Sequence, residues 1–232
     1  MNTNRKTAII VGGLFLTAMV ASLLGGSLVE SIIAAPDYLI DVSENETLVI
    51  IGVLLELINA IAVLGIAASM FPILKQYNET IAVGYLGFRL IEAVFCSVIV
   101  ISPLSLIKLS QEYLQAGVSQ AAYLQALGTL SMAERASVMD LLVAVFFSLG
   151  ALLFYYLLYQ SKLIPRFISV WGLIGAALIL TLNLLSTLNL FEADISIGLI
   201  FALPMITNEI FLGIWLIVKG FNSSAIASSS AK

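Results

Sequence analysis

The chain reads as an all-α, polytopic membrane protein, a bundle of six spanning helices with both termini cytoplasmic. Three observations lead there. Of 232 residues, 61% are hydrophobic and only 10% charged, whereas a soluble domain carries roughly a quarter charged residues. A body of this size cannot hide so much apolar surface from water. Six apolar runs, each of about 20 residues or more, recur between short polar turns, and about 20 apolar residues on a helix span a bilayer. Basic residues also alternate with acidic ones from turn to turn in step with those runs.

The first run covers about residues 7–28, after Arg5 and Lys6. Ala18, Ser22 and Gly25 form a small-residue face suited to close helix contact. The basic start and Ala34-Ala35 imitate a cleavable signal peptide, but the apolar stretch is longer than a typical signal core, so the run is expected to be retained. Glu30 to Glu46 is expected to be an acidic loop, with Ser43 and Glu46 as a capping box opening a second helix over about 44–70. Pro72, Lys75 and Asn78 mark a turn.

The third helix is expected over about 80–104, with Pro103 as a candidate kink. Residues 105–131 form an outer segment with a short amphipathic helix stopped at Gly128. Ser131 and Glu134 form a second capping-box pattern, which predicts a fourth helix over about 132–159. Tyr155, Tyr156 and Tyr159 near its end resemble an interfacial aromatic belt. After the basic turn at Lys162, Pro165 and Arg166, the fifth helix covers about 167–190, with Gly172 and Ala176 as a small-residue pair. An acidic turn at Glu192 and Asp194 precedes the sixth helix, about 196–218, which contains Pro204. Residues 1–220 thus form a single membrane domain. The Ser/Ala-rich tail 221–232 is expected to be disordered.

Seven of the ten Lys and Arg fall at the amino terminus, the Lys75 turn, the Lys162/Arg166 turn and the carboxyl end, while Lys108 and Arg135 fall on the opposite side. The positive-inside rule then sets both ends in the cytoplasm and the chain in the inner (plasma) membrane as a multi-pass protein.

Ionisable groups inside the runs are the candidate functional residues. They are Glu56, Arg89, Glu92, Asp140 and Glu209, with Asn59, Asn183 and Asn208 beside them. At about 1.5 Å of rise per residue, Glu92 and Glu209 fall near the middle of the bilayer. Glu56 and Arg89 lie about 13 Å in from opposite faces on the same rise, and Asp140 is shallow. Each such group at a helix centre costs about 2.5–3.5 kcal/mol on insertion, so they are expected to converge. Arg89 and Glu92 are three residues apart, on one helix face. Glu56, Glu92 and Glu209 are expected to meet around Arg89, and this surplus of acid implies bound protons or a bound cation. A purely structural ion pair is the plainer reading of the same residues.

The absence of His removes His triads, His metal sites and His proton shuttles. A lone Cys96 allows no intramolecular disulfide and no paired-cysteine redox centre. No metal or cofactor motif stands out, so no cofactor is expected. Scattered basic residues disfavour nucleic acid as a partner. The expected partners are the lipid bilayer and a small molecule or a proton. Two functions remain: a proton-linked carrier of a small solute, and a non-catalytic sensor or accessory subunit whose ion pairs are structural. An intramembrane enzyme acting on lipid is the weakest reading, since neither a nucleophile motif nor an acidic metal motif is present.

Three stretches resemble a known family. They are Phe88-Arg89-Leu90-Ile91-Glu92-Ala93, then Ser161 through Pro165-Arg166, then Pro204 through Glu209 to Trp215 and Lys219-Gly220. Together they are similar to bacterial membrane proteins grouped as domain-of-unknown-function family 4386. The resemblance implies about six membrane helices and no assigned activity, and the amino-terminal third departs most from it.

Overall fold

A computed structural model of the chain describes residues 3–191, 195–222 and 224–226, and among them all regular structure is helical. The elements are α1 (Thr3–Ile33), α2 (Tyr38–Glu44), α3 (Glu46–Leu74), α4 (Glu79–Val98), α5 (Ile101–Tyr113), α6 (Val118–Ser137), a π-helical turn (Val138–Val143), α7 (Ala144–Ser161), α8 (Arg166–Thr187) and α9 (Ile195–Val218). Six helical rods are long and apolar enough to cross a membrane. This is a multi-pass, six-span helical bundle.

The rods form a closed ring in chain order. α1 packs on α3, α3 on α4, α4 on α7, α7 on α8, α8 on α9, and α9 returns to α1. Small residues set the closest approaches. A Cβ on Gly12 would lie 2.5 Å from the Gly213 carbonyl oxygen of α9, and one on Gly25 would lie 2.9 Å from the Gly52 carbonyl oxygen of α3. Apolar packing gains little over lipid contact inside a bilayer, so such backbone approaches carry helix association there. Gly12→Ala is therefore expected to lower detergent-solubilised stability by about 1–3 kcal/mol. Gly13→Ala, whose Cβ meets nothing within 4 Å, is expected to be neutral. Equal melting temperatures for the two variants would contradict this packing.

The main core fills the end of the ring that carries both termini. Ala8, Val11, Met70, Leu74, Tyr85, Phe154, Leu158, Ile168 and Leu216 belong to one buried cluster. Arg5 ties the termini together by donating to the carbonyls of Leu216, Ile217 and Val218. Those carbonyls lie in the last turn of α9, where intrahelical donors run out, and a cation is favoured there.

Several local expectations are corrected at the opposite, far end. Glu30 lies in α1, not in a loop, because α1 runs on to Ile33. Ser43 sits inside α2, and α3 starts after Asn45 with no side-chain cap. The separate amphipathic helix ending at Gly128 is absent. Instead α6, the π turn and α7 form one rod over Gln120–Ser161, 42 residues long and so about 63 Å at the α-helical rise. That is about twice the hydrocarbon thickness, so the rod protrudes from the membrane together with α5. Ser131 does not cap a helix. Its hydroxyl donates to the Ser102 hydroxyl, and its carbonyl accepts from Ser102, joining α5 to α6. A second buried cluster, including Val29, Leu39, Val42 and Leu106, holds this cap together.

Of the expected aromatic belt, Tyr156 and Tyr159 are exposed, but Tyr155 is fully buried against Gly172. The acidic turn at Glu192 and Asp194 lies outside the described residues, as does most of the tail expected to be disordered. Within that tail, the Asn222 N–H donates to the Leu163 carbonyl.

Candidate functional site

The ionisable residues do not form one cluster but two. The inner one is built on α4. Arg89 and Glu92, one turn apart, share a face as their spacing predicts, and Nη1 of Arg89 donates to both carboxylate oxygens of Glu92 at 3.0 and 2.7 Å. Nη2 lies 4.0 Å from Oε1 of Glu209, which α9 brings in from 120 residues along the chain. The guanidinium also stacks on Phe147, 5.2 Å from the ring centre. Gly150 leaves room for the arginine stem, since a Cβ there would sit 3.3 Å from the Arg89 Cδ.

Burial makes this site unusual. Arg89 and Glu92 are almost wholly buried, whereas the Glu209 side chain keeps 14% of its surface. Glu209 has no hydrogen bond among the described residues, only the 4.0 Å ion pair. With one guanidinium and two carboxylates, the charge does not balance. Around it lie buried polar atoms without a hydrogen-bond partner: Nε of Arg89 and the hydroxyls of Tyr85 and Tyr155. A buried polar atom left unpaired costs about 1–3 kcal/mol, and in a folded protein each such atom calls for an explanation, such as stored strain, a catalytic role or a bound water or ion.

Arg89, Glu92 and Glu209 line a partly open cavity of about 250 Å³ at the centre of the ring. Asn59 also lines it, and the rest of the wall is largely apolar, with Phe15, Met19, Phe147 and Met205. The cavity exists because the ring loosens toward its far end. No residue of the π turn is buried, and no residue of α9 is fully buried from Ile197 to Pro204.

Glu56 is the main correction. It does not reach Arg89 but pairs with Arg135, which the sequence places in the first turn of the fourth helix and counts with the basic residues of the outer side. Nη1 and Nη2 of Arg135 donate to Oε2 and Oε1 of Glu56 at 3.1 and 2.5 Å. Its Nε donates to Glu30 at 3.0 Å, and Nη1 also donates to the Ile99 carbonyl at 2.8 Å. That carbonyl is available for a simple reason. Its intrahelical donor would be the N–H of residue 103, and Pro103 has none. Arg135 is thus fully engaged and ties α1, α3, the α4–α5 junction and α6 into one node. Continuous helix through residue 135, where a helix start was expected, is what carries its side chain into the bundle.

The remaining candidates stay apart. Asp140 is on the π turn, exposed and without an ion pair among the described residues. Asn183 donates to the Ile179 carbonyl of its own helix. Asn208 is buried and joins α9 to α8 by donating to the Ile168 carbonyl at 2.9 Å, while its Oδ1 has no partner. Sequence reasoning missed Arg135, Glu30, Tyr85 and Tyr155. Tyr85 was within reach, since it precedes Arg89 by four residues and shares its face.

No curated protein and no solved structure matches the chain. A family described as "Domain of unknown function (DUF4386)" matches residues 10–220, which include both ion-pair sites and all six spans apart from the first seven residues of α1. The chain belongs to the DUF4386 family of domains of unknown function.

Proposed function

We propose that this protein is a proton-linked carrier of a small solute in the inner membrane, with both termini cytoplasmic. The observation that carries the reading is Glu209: an intramembrane acid, unmatched in charge, without a hydrogen bond among the described residues, and lining a cavity with Arg89 and Glu92. Ionisable residues at this depth mark ion and proton pathways when they face a cavity. Largely apolar walls with one surplus carboxylate suit a small solute that has an apolar body and a hydrogen-bonding or cationic group. Glu209 takes the role of proton acceptor. Arg89 and Glu92, already paired, position it and fix the field around it.

The test is reconstitution in liposomes with an internal pH dye, using a panel of small amines and small neutral solutes. At least one solute is expected to drive proton movement, and Glu209→Gln is expected to reduce that movement by at least about tenfold, the equivalent of ~1.4 kcal/mol. Proton movement with none of the panel, or full activity in Glu209→Gln, would reject the carrier reading.

A second reading, a non-catalytic sensor or accessory subunit, draws support from the Arg135 node. Every donor-bearing nitrogen of that guanidinium is already bonded within the chain, which is what a structural ion pair requires.

A further inference from the structure

The second of the stretches that carry the family resemblance, and the end of the third, lie far apart along the chain and have no part in the central cavity. Ser161 to Arg166 and Trp215 to Gly220 meet at the end of the bundle that holds both termini. Between them is a second cavity, of about 460 Å³. Lys162, Arg166 and Lys219 line it together with Pro165, Trp215 and Phe221, and among the described residues no carboxylate does. None of the three cations is ion-paired among the described residues.

The backbone builds this cavity at some cost. Lys162 ends α7 in the left-handed region, φ 56° and ψ 26°, a conformation that is strained for a non-glycine residue and often accompanies a functional constraint. Gly220, at φ 76°, turns the chain back after α9. Asn222 then bonds to the carbonyls of Leu163 and Lys162 and closes the floor. The field is positive by construction as well. α8 starts at Arg166, and its first N–H groups have no intrahelical acceptor. The opposing carbonyl end of α9, which would offset this, is already taken by Arg5.

Below the cations, toward the membrane, the surface is aromatic. Phe167 and Phe211 are exposed, with rings 5.9 Å apart, and Trp171 and Trp215 flank Phe211 at 6.1 and 6.2 Å. Tryptophan at this level is typical of the boundary between headgroups and acyl chains. A soluble anion would need the cations only. A lipid needs both layers, cations at the phosphate and an apolar strip for the chains.

We propose that this pocket is a binding site for an anionic phospholipid, its phosphodiester held by Lys162, Arg166 and Lys219 and its acyl chains lying along the aromatic strip between α8 and α9. Basic pockets between spanning helices recognise such headgroups. The inference stands independently of the carrier reading, since it shares no residue with the central cavity.

Native mass spectrometry of the full chain, released from micelles containing equal amounts of phosphatidylglycerol and phosphatidylcholine, tests it. Bound phosphatidylglycerol is expected to exceed phosphatidylcholine by at least about tenfold. Lys162→Gln with Lys219→Gln is expected to bring the ratio near parity. Lys108→Gln at the far end should leave it unchanged, and Arg166→Lys, which keeps the charge, should retain most of it. All the positions changed are exposed, and thermal unfolding of each variant checks that it is folded. Equal retention of the two lipids by the wild type, or an undiminished preference in the double variant, overturns the proposal. Inorganic phosphate that displaces the lipid and stabilises the chain equally well overturns it in favour of a soluble anion.

Discussion

Arg135→Met is expected to destabilise the protein by about 3–5 kcal/mol, as measured by denaturant unfolding in detergent micelles. The substitution leaves Glu56, only 6% exposed in its side chain, as an unpaired charge inside the bundle. It also strips the Ile99 carbonyl of its donor, which Pro103 cannot replace. Both losses come from one side chain that holds four parts of the fold together. Glu30→Gln should do far less, about 1 kcal/mol or under, because that carboxylate is half exposed and water can take over. Combining Arg135→Met with Glu56→Leu should recover most of the loss, since no charge is then stranded. An Arg135→Met variant as stable as the wild type would show that the node does not hold the far end together.

Arg89→Met is the second large effect, with a different signature. It leaves two carboxylates, Glu92 and Glu209, without their cation around one cavity, and should cost a similar 3–5 kcal/mol. Adding Glu92→Leu should restore much of the stability. Solute-driven proton movement should stay lost in that double variant, because the field that positions Glu209 is gone. A structural ion pair predicts the opposite, recovery of stability and function together. Measuring unfolding and liposome flux on the same preparations separates the two. Arg89→Lys should rescue only in part, since the ammonium lacks the planar fork that bonds Glu92 while facing Glu209.

The two arginines differ in what they leave unused. Arg135 spends all three nitrogens on chain partners, whereas Arg89 bonds through one nitrogen, approaches Glu209 with another and leaves Nε free. A saturated node resists exchange of partners, and an unsaturated one beside a cavity permits it. That contrast is why the functional proposal rests on Arg89, Glu92 and Glu209 and not on Glu56.

Membrane residence, six spans and the exclusion of histidine chemistry follow from composition and from the length of apolar runs, which need no coordinates. The Arg89–Glu92 pair is equally local, because helix geometry alone puts residues three apart on one face. Partners across helices are another matter. Whether Glu56 meets Arg89 or Arg135 depends on the rotation and depth of each rod, and these are set by contacts such as Gly12 on Gly213 and Gly25 on Gly52. Continuous helix from α6 through the π turn, despite Gly128 and the Ser131 pattern, put Arg135 within the bundle and not in the first turn of a helix at its outer side. Pro103 then supplied a free carbonyl for it, a consequence of a missing N–H that acquires meaning only once a donor from another helix stands beside it. The convergence of the Lys162 turn with Trp215 and Lys219 is likewise tertiary, since it requires α9 to pack beside α8.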